Sequence, residues 1–284
     1  MPKKKPSTSG KIWKAWVWAA SHALHAFYLL ARAIIWAADW GLAKASASSA
    51  KRAVGAKKPR TDAAYMPLAL QKKSAGELEQ FEEKILSSRS AIGLVLGARG
   101  SGKSALGMRI IENVSSKTGR NVCAMGFDES TLPSWITCVG SVDAVPNGSF
   151  VLVDEGGITF SSRSSQSSAN KILSSLLLVA RHKDLSVLFI SQNSANLEVN
   201  AIRQADFLLL RKPSLLQKEF ERKKIGEIYD SIGGQFLSLP DAGRHSTYVY
   251  SDEFSGFVSN NLPSFWSQRA SKPYASFRPA QGKA

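Results

Sequence analysis

Acidic residues are almost missing from the first sixty positions of this 284-residue chain. Asp39 stands alone there against 12 lysines and arginines, so that stretch carries +11 of the formal net charge of +15. The remainder of the chain is only mildly basic, at +4, which excludes a uniformly basic protein and assigns the basicity to one segment. Cysteine is scarce as well. Cys123 and Cys138 are the only two, with no spacing that suits a metal. A disulfide scaffold is thereby excluded, and buried free thiols in a reducing compartment are expected. Charge of either sign is absent for 17 residues, from Ala15 to Ala31. That length sits at the lower limit for a membrane span. It is too long for the apolar core of a cleaved secretory signal.

The charge-poor segment is rich in indoles: five of the seven tryptophans lie between Trp13 and Trp40. Lys11, Lys14, Ser21, His22, His25, Arg32 and Asp39 fall near one helical line and leave a broad apolar face. A helix of this kind suits a membrane interface, with basic groups near lipid headgroups and tryptophans at the boundary. A single span with its polar stripe on a partner helix, or a helix packed on a protein surface, would show the same pattern. Lys and Arg counts on the two flanks do not choose an orientation, and Arg32 would be costly mid-bilayer. Membrane association through residues 11–44 is the expectation, and the pattern does not decide between lying in the interface and crossing it. An Ala/Ser/Lys linker ending Lys57-Lys58-Pro59-Arg60 closes this first region. A catalytic domain over 61–272 and a flexible tail over 273–284 are expected to follow.

Near the start of that domain stands Gly97-Ala98-Arg99-Gly100-Ser101-Gly102-Lys103-Ser104, which fits the phosphate-loop pattern G-x-x-x-x-G-K-[ST]. The apolar run Ala91–Leu96 before it has strand length, and Ala105–Ile111 after it repeats its apolar residues at helical spacing. A strand, a glycine loop and a helix N-terminus in this order aim backbone N–H groups and the positive helix end at one point. Lys103 would reach the β- and γ-phosphates of ATP, and the Ser104 hydroxyl would hold Mg²⁺.

Hydrolysis needs a carboxylate on a neighbouring strand. Ser149–Val153 reads as a strand buried on both faces, ending in Asp154-Glu155-Gly156-Gly157. Asp154 would hold the Mg²⁺ water shell, and Glu155 would polarise an attacking water. A nucleoside kinase has no need of that second acid. Leu185–Gln192 is another buried-type strand, and the Gln192 that ends it would sense the γ-phosphate or orient the water from the sheet's carboxyl edge. Arg120–Phe127, Trp135–Val139 and Asp206–Arg211 read as further strands, and Asn170–His182 as a helix. Ser214-Leu215-Leu216-Gln217 reads as the capped start of a charged helix that Gly233-Gly234 would close. Six serines in Ser161–Ser168, with Arg163 among them, suit either a surface loop or contact with a phosphate backbone.

The order of these parts resembles the FtsK–HerA superfamily of P-loop translocases, and within it the genome-packaging ATPases of viruses with an internal membrane. The match is carried by the GARGSGKS loop, VLVDEGG, ARHKDLSVLFISQN (Ala180 to Asn193), EVNAIRQAD (Glu198 to Asp206) and LPSFW (Leu262 to Trp266), and covers about residues 88–270. The ARHK…SQ arrangement discriminates best. The resemblance implies an α/β P-loop NTPase of the RecA-like (ASCE) kind, its mostly parallel sheet flanked by helices, with the N-terminal helix as an addition. It implies Glu155 as water activator, Gln192 as sensor, and Arg181 as a finger reaching the neighbouring subunit's ATP, with Arg163 as second candidate. It also implies a homo-oligomeric ring, a hexamer, threading double-stranded DNA without regard to sequence, with capsid or portal-vertex partners. The host cytoplasm, at a membrane or at the virion vertex, is the expected location. A filamentous-phage or zonula-occludens-toxin type ATPase acting on single-stranded DNA is the alternative within motors. A small-molecule kinase and a membrane-bound scaffold with a regulatory ATP site are the alternatives outside them.

Overall fold

The computed structural model describes residues 61–161 and 167–271. The expectations for residues 11–44, for Arg163 and for the tail 273–284 lie outside the described residues.

Four five-residue strands are buried along their whole apolar length, which is what a sheet covered on both faces demands. They are β2 (Ile92–Leu96), β5 (Phe150–Asp154), β6 (Ser186–Ile190) and β7 (Phe207–Arg211). With β3 (Val122–Met125) and β4 (Ile136–Cys138) they form a parallel block in the order β7-β2-β6-β5-β3-β4. The strand carrying the glycine loop thus has β6 between itself and the strand carrying the acids. Three antiparallel strands extend the sheet beyond β7: β8 (Ser246–Ser251), β9 (Phe254–Ser259) and β1 (Ala69–Gly76). None of these three was expected from the sequence.

Side chains alternate between two apolar layers. Leu94 and Leu96 enter one, with Leu173, Leu176 and Ile232, while Val95 enters the other, with Phe81, Met108 and Ile111. The first layer lies under α4 (Ser167–Ala180), α5 (Val199–Arg203) and α7 (Lys223–Leu237), and the second under α1 (Leu78–Ser87) and α2 (Lys103–Thr118). Helix α1 buries only Leu78, Phe81 and Ile85, one helical face, and Phe81 meets Phe207 edge-on at 5.3 Å. Burying such a phenylalanine is worth roughly 1.5–3 kcal/mol. Helix α2 ends at Gly119, whose left-handed backbone lets its N–H bond the Ser115 carbonyl.

Two local expectations are corrected. Ser214 does cap a helix, its Oγ accepting from the Gln217 N–H at 3.2 Å, but α6 (Leu215–Glu219) stops after five residues. Glu221 and Arg222 turn away to bond Ser194 and Leu197, which breaks the chain into α6 and α7. Helix α7 then runs through Gly233-Gly234 rather than ending there. Each glycine costs a helix interior about 1 kcal/mol, and burial of Ile232 and Phe236 on either side offsets it. Cys123 is buried as expected, whereas Cys138, on edge strand β4, is only half-buried and its thiol donates to the Phe127 carbonyl at 3.4 Å.

Candidate nucleotide site

The glycine loop leaves β2 at the carboxyl edge of the parallel block and enters α2 at Lys103. Gly102, the residue before the helix, has φ +88° and ψ +18°, and a Cβ there would sit 3.0 Å from a guanidinium nitrogen of Arg211. Only glycine satisfies both the left-handed backbone and that approach. Arg211, at the end of β7, is 4% exposed and underlies the loop. Its guanidinium donates to the carbonyls of Gly102 (3.4 Å) and Ser246 (3.3 Å) and to the Asn260 side-chain oxygen (3.2 Å). Burial lowers its pKa to about 10, so it is cationic at neutral pH.

Lys103 is buried, and its Nζ donates to the carbonyl oxygens of Gly97 (2.7 Å) and Ala98 (2.9 Å), folding back along its own loop. Burial is the main cause that lowers its pKa to about 8, with the Arg211 charge adding to it and Asp154 and Glu155 opposing. No acid lies within ion-pair distance of it among the described residues.

Beside it, the Ser104 hydroxyl donates to Asp154 Oδ2 at 2.8 Å. The other Asp154 oxygen accepts from the Gly156 N–H at 3.0 Å. Burial raises the Asp154 pKa against those hydrogen bonds. A hydroxyl and a carboxylate oxygen in contact form the hard donor pair that Mg²⁺ takes from a protein, with phosphates and water completing the shell. Behind them, Gly157 packs so close to β3 that a Cβ would fall 1.7 Å from the Gly126 carbonyl oxygen. The second glycine of the VLVDEGG run is therefore a packing requirement.

Glu155 is 7% exposed and turned to the strand beside it. One carboxylate oxygen accepts from Ser191 Oγ at 2.5 Å, and the Gln192 backbone and the Asn196 side chain also bond it. Burial raises its pKa, which these bonds oppose. Gln192 is exposed and faces the same cavity as the loop, while its carbonyl accepts from the Gln217 side chain. The cavity holds about 250 Å³ and is lined by Arg99, Gly102, Lys103, Ser104, Asp154 and Gln192, with Trp266 on its wall.

Most expected site residues therefore meet in one place. Arg181 does not join them. It follows α4 at the amino edge of β6, opposite the loop, where it is exposed and lines a separate open groove with Leu178 and Glu198. Sequence reasoning missed Arg211, Ser191, Asn196 and Trp266. A signal existed for Arg211, the one cation among the described residues that ends an apolar parallel strand at the ligand edge.

No protein-family model and no curated protein matches the sequence. Among solved structures, the chain is similar to the genome packaging NTPase B204 from Sulfolobus turreted icosahedral virus 2, in complex with AMPPCP. The identity is 12%, covering 62% of this chain and 100% of that one, at a TM-score of 0.43. It is also similar to the cytoplasmic domain of the type VII secretion ATPase EccC of Thermomonospora curvata. There the identity is 11%, over 72% of this chain and 28% of that one, at a TM-score of 0.41. The pCW3 conjugation coupling protein TcpA is 11% identical over 75% of this chain and 72% of that one, at a TM-score of 0.41. The loop, the acid pair and the strand order themselves give the chain a P-loop NTPase fold with a mostly parallel sheet.

Proposed function

We propose that this chain is a Mg²⁺-dependent ATPase that drives DNA through a homo-oligomeric ring, the genome-packaging motor of a membrane-containing virus. The observation that carries the ATPase part is the convergence of Lys103, Ser104, Asp154 and Gln192 on one cavity, with Glu155 one hydrogen bond behind it. The DNA part rests on the ARHK…SQ arrangement and the motifs around it.

When bound, Mg²⁺ supplies charge neutralisation at the phosphates. The loop N–H groups and Lys103 grip the phosphates, Lys103 exchanging its own-loop carbonyls for phosphate oxygens. Ser104 and Asp154 would hold the metal in place of the hydrogen bond between them. Glu155 leaves Ser191 and Asn196, and its carboxylate takes the proton of the attacking water; the pKa raised by burial makes it the better base. Gln192 orients that water against the γ-phosphate. Arg181, at the far edge, completes the neighbour's site in a hexameric ring. Residues 11–44 hold the ring at a membrane, and capsid or portal-vertex proteins receive it.

Steady-state ATP hydrolysis, with and without duplex or single-stranded DNA, tests this reading. Glu155→Gln is expected to keep nucleotide binding while losing turnover by about 10²–10⁴-fold. Duplex DNA is expected to stimulate the unaltered chain. Stimulation by single strands alone would point to the filamentous-phage type of ATPase, and full hydrolysis by Glu155→Gln would remove Glu155 from the chemistry.

A further inference from the structure

The LPSFW run has no task in the mechanism above, yet the molecule holds it with unusual care. After β9, the chain crosses the back of α2. The carbonyls of Asn261 and Leu262 accept from the Arg109 guanidinium. The Ser264 N–H and hydroxyl both donate to the Glu112 carboxylate. Arg109 and Glu112 themselves pair at 2.9 Å and are 1% and 0% exposed. Phe265 is buried and stands edge-on to Trp135, with ring centroids 5.5 Å apart. The Trp266 N–H closes the turn on the Pro263 carbonyl at 3.0 Å.

A buried ion pair is expensive to desolvate, so one that holds this strap, as well as the Ala64 backbone, calls for a reason. The strap delivers one side chain. Trp266 is half-buried and lines the nucleotide cavity beside Ser104 and Ala105, the first turn of α2. Lys103, Ser104, Asp154 and Gln192 are committed to phosphates, metal and water. Trp266 is the one aromatic face among the described residues that line this cavity. A rigidly held indole at the wall of a phosphate site is a stacking surface for a flat apolar ring.

Building on the nucleotide-site reading, we propose that Trp266 is the specificity-determining residue for the nucleobase. Its indole stacks on the base, favours purines by their larger face, and separates nucleotides from bare polyphosphate. The strap is placed by Arg109 and Glu112, which act only as positioning residues.

The full chain, with Mg²⁺, is titrated calorimetrically with β,γ-imido-ATP, with the corresponding cytidine analogue and with inorganic tripolyphosphate. The unaltered protein is expected to bind imido-ATP more tightly than the cytidine analogue, and both more tightly than tripolyphosphate. Trp266→Leu keeps apolar bulk but removes the aromatic face. It is expected to weaken imido-ATP about tenfold and leave tripolyphosphate unchanged. Trp266→Phe is expected to stay within about twofold of the unaltered chain. Unchanged imido-ATP affinity in Trp266→Leu, or an equal loss for both ligands, overturns the proposal. So does an unaltered chain that binds tripolyphosphate as tightly as imido-ATP, and that result leaves the phosphate site standing. Binding of neither ligand by the unaltered chain would instead sink the nucleotide reading, and this inference with it.

Discussion

Helix α2 carries two buried cations six residues apart, and their surroundings are opposite. At the front, Lys103 bonds only the carbonyls of its own loop, and burial lowers its pKa. At the back, Arg109 has Glu112 at 2.9 Å and three backbone carbonyls around its guanidinium. Glu112 in turn accepts from the Ala64 N–H and from Ser264, so the pair ties residues on both sides of the sheet's sequence to one helix. A charge that owns its counter-charge is part of the framework. A charge buried with only dipoles around it is poised for an anion that comes and goes.

The back is where the comparison breaks most visibly. Glu112→Ala leaves Arg109 buried without its partner and is expected to destabilise the protein by about 3–5 kcal/mol. At roughly 2–4 °C per kcal/mol for a domain of this size, the thermal midpoint falls by about 10 °C. Nucleotide affinity of the folded fraction stays put for the phosphate grip. A loss under about 1 kcal/mol, read in a denaturant titration, would show that the pair is not structural.

The front should answer in the other currency. Lys103→Ala removes a cation whose burial is unfavourable without ligand, so the ligand-free midpoint is expected to hold or rise slightly. Imido-ATP binding should weaken by at least about a hundredfold, since two or more charge-assisted hydrogen bonds to phosphate go with the side chain. A variant that melts early yet binds normally would reverse the assignment of the two cations.

The front was the legible half. Parallel strands covered on both faces must be apolar at every position, and β2, β5, β6 and β7 announce themselves that way. The loop and the acid pair follow those strands directly, so locating the strands located the chemistry. The back was hidden for the opposite reason. Strand β1 (ALQKKSAG) is exposed nearly throughout and shows no alternation, because at the sheet edge it has little to bury. The β8–β9 hairpin carries no glycine turn pair between Ser251 and Phe254 to mark it. Arg211 reaches Gly102 from 109 residues away, and Ser264 reaches Glu112 from 152. Such partners are set by how the finished sheet brings distant segments together, and no local pattern encodes that. The break between α6 and α7 was missed on the same ground, since Ser194 holds Glu221 and Arg222 from across the fold.

The smallest effect divides the two cations most finely, because only one of them titrates near neutrality. Burial sets the Lys103 pKa at about 8 in the ligand-free protein, against an ordinary value of 10.5. Between those two values the unfolded chain binds more protons than the folded one, so this lysine makes the ligand-free protein more stable as pH rises through that window. Phosphate binding has the reverse sign, because it needs the protonated amine. Imido-ATP affinity is therefore expected to be level up to about pH 7.5 and to fall by up to tenfold per unit above pH 8, with proton uptake on binding. Titration calorimetry in two buffers of different ionisation enthalpy reads both quantities at once. Arg109 keeps its charge across this range, so the thermal midpoint should show no loss where affinity does. Level affinity and no proton uptake at pH 9 would mean that Lys103 is not the cation the phosphates meet.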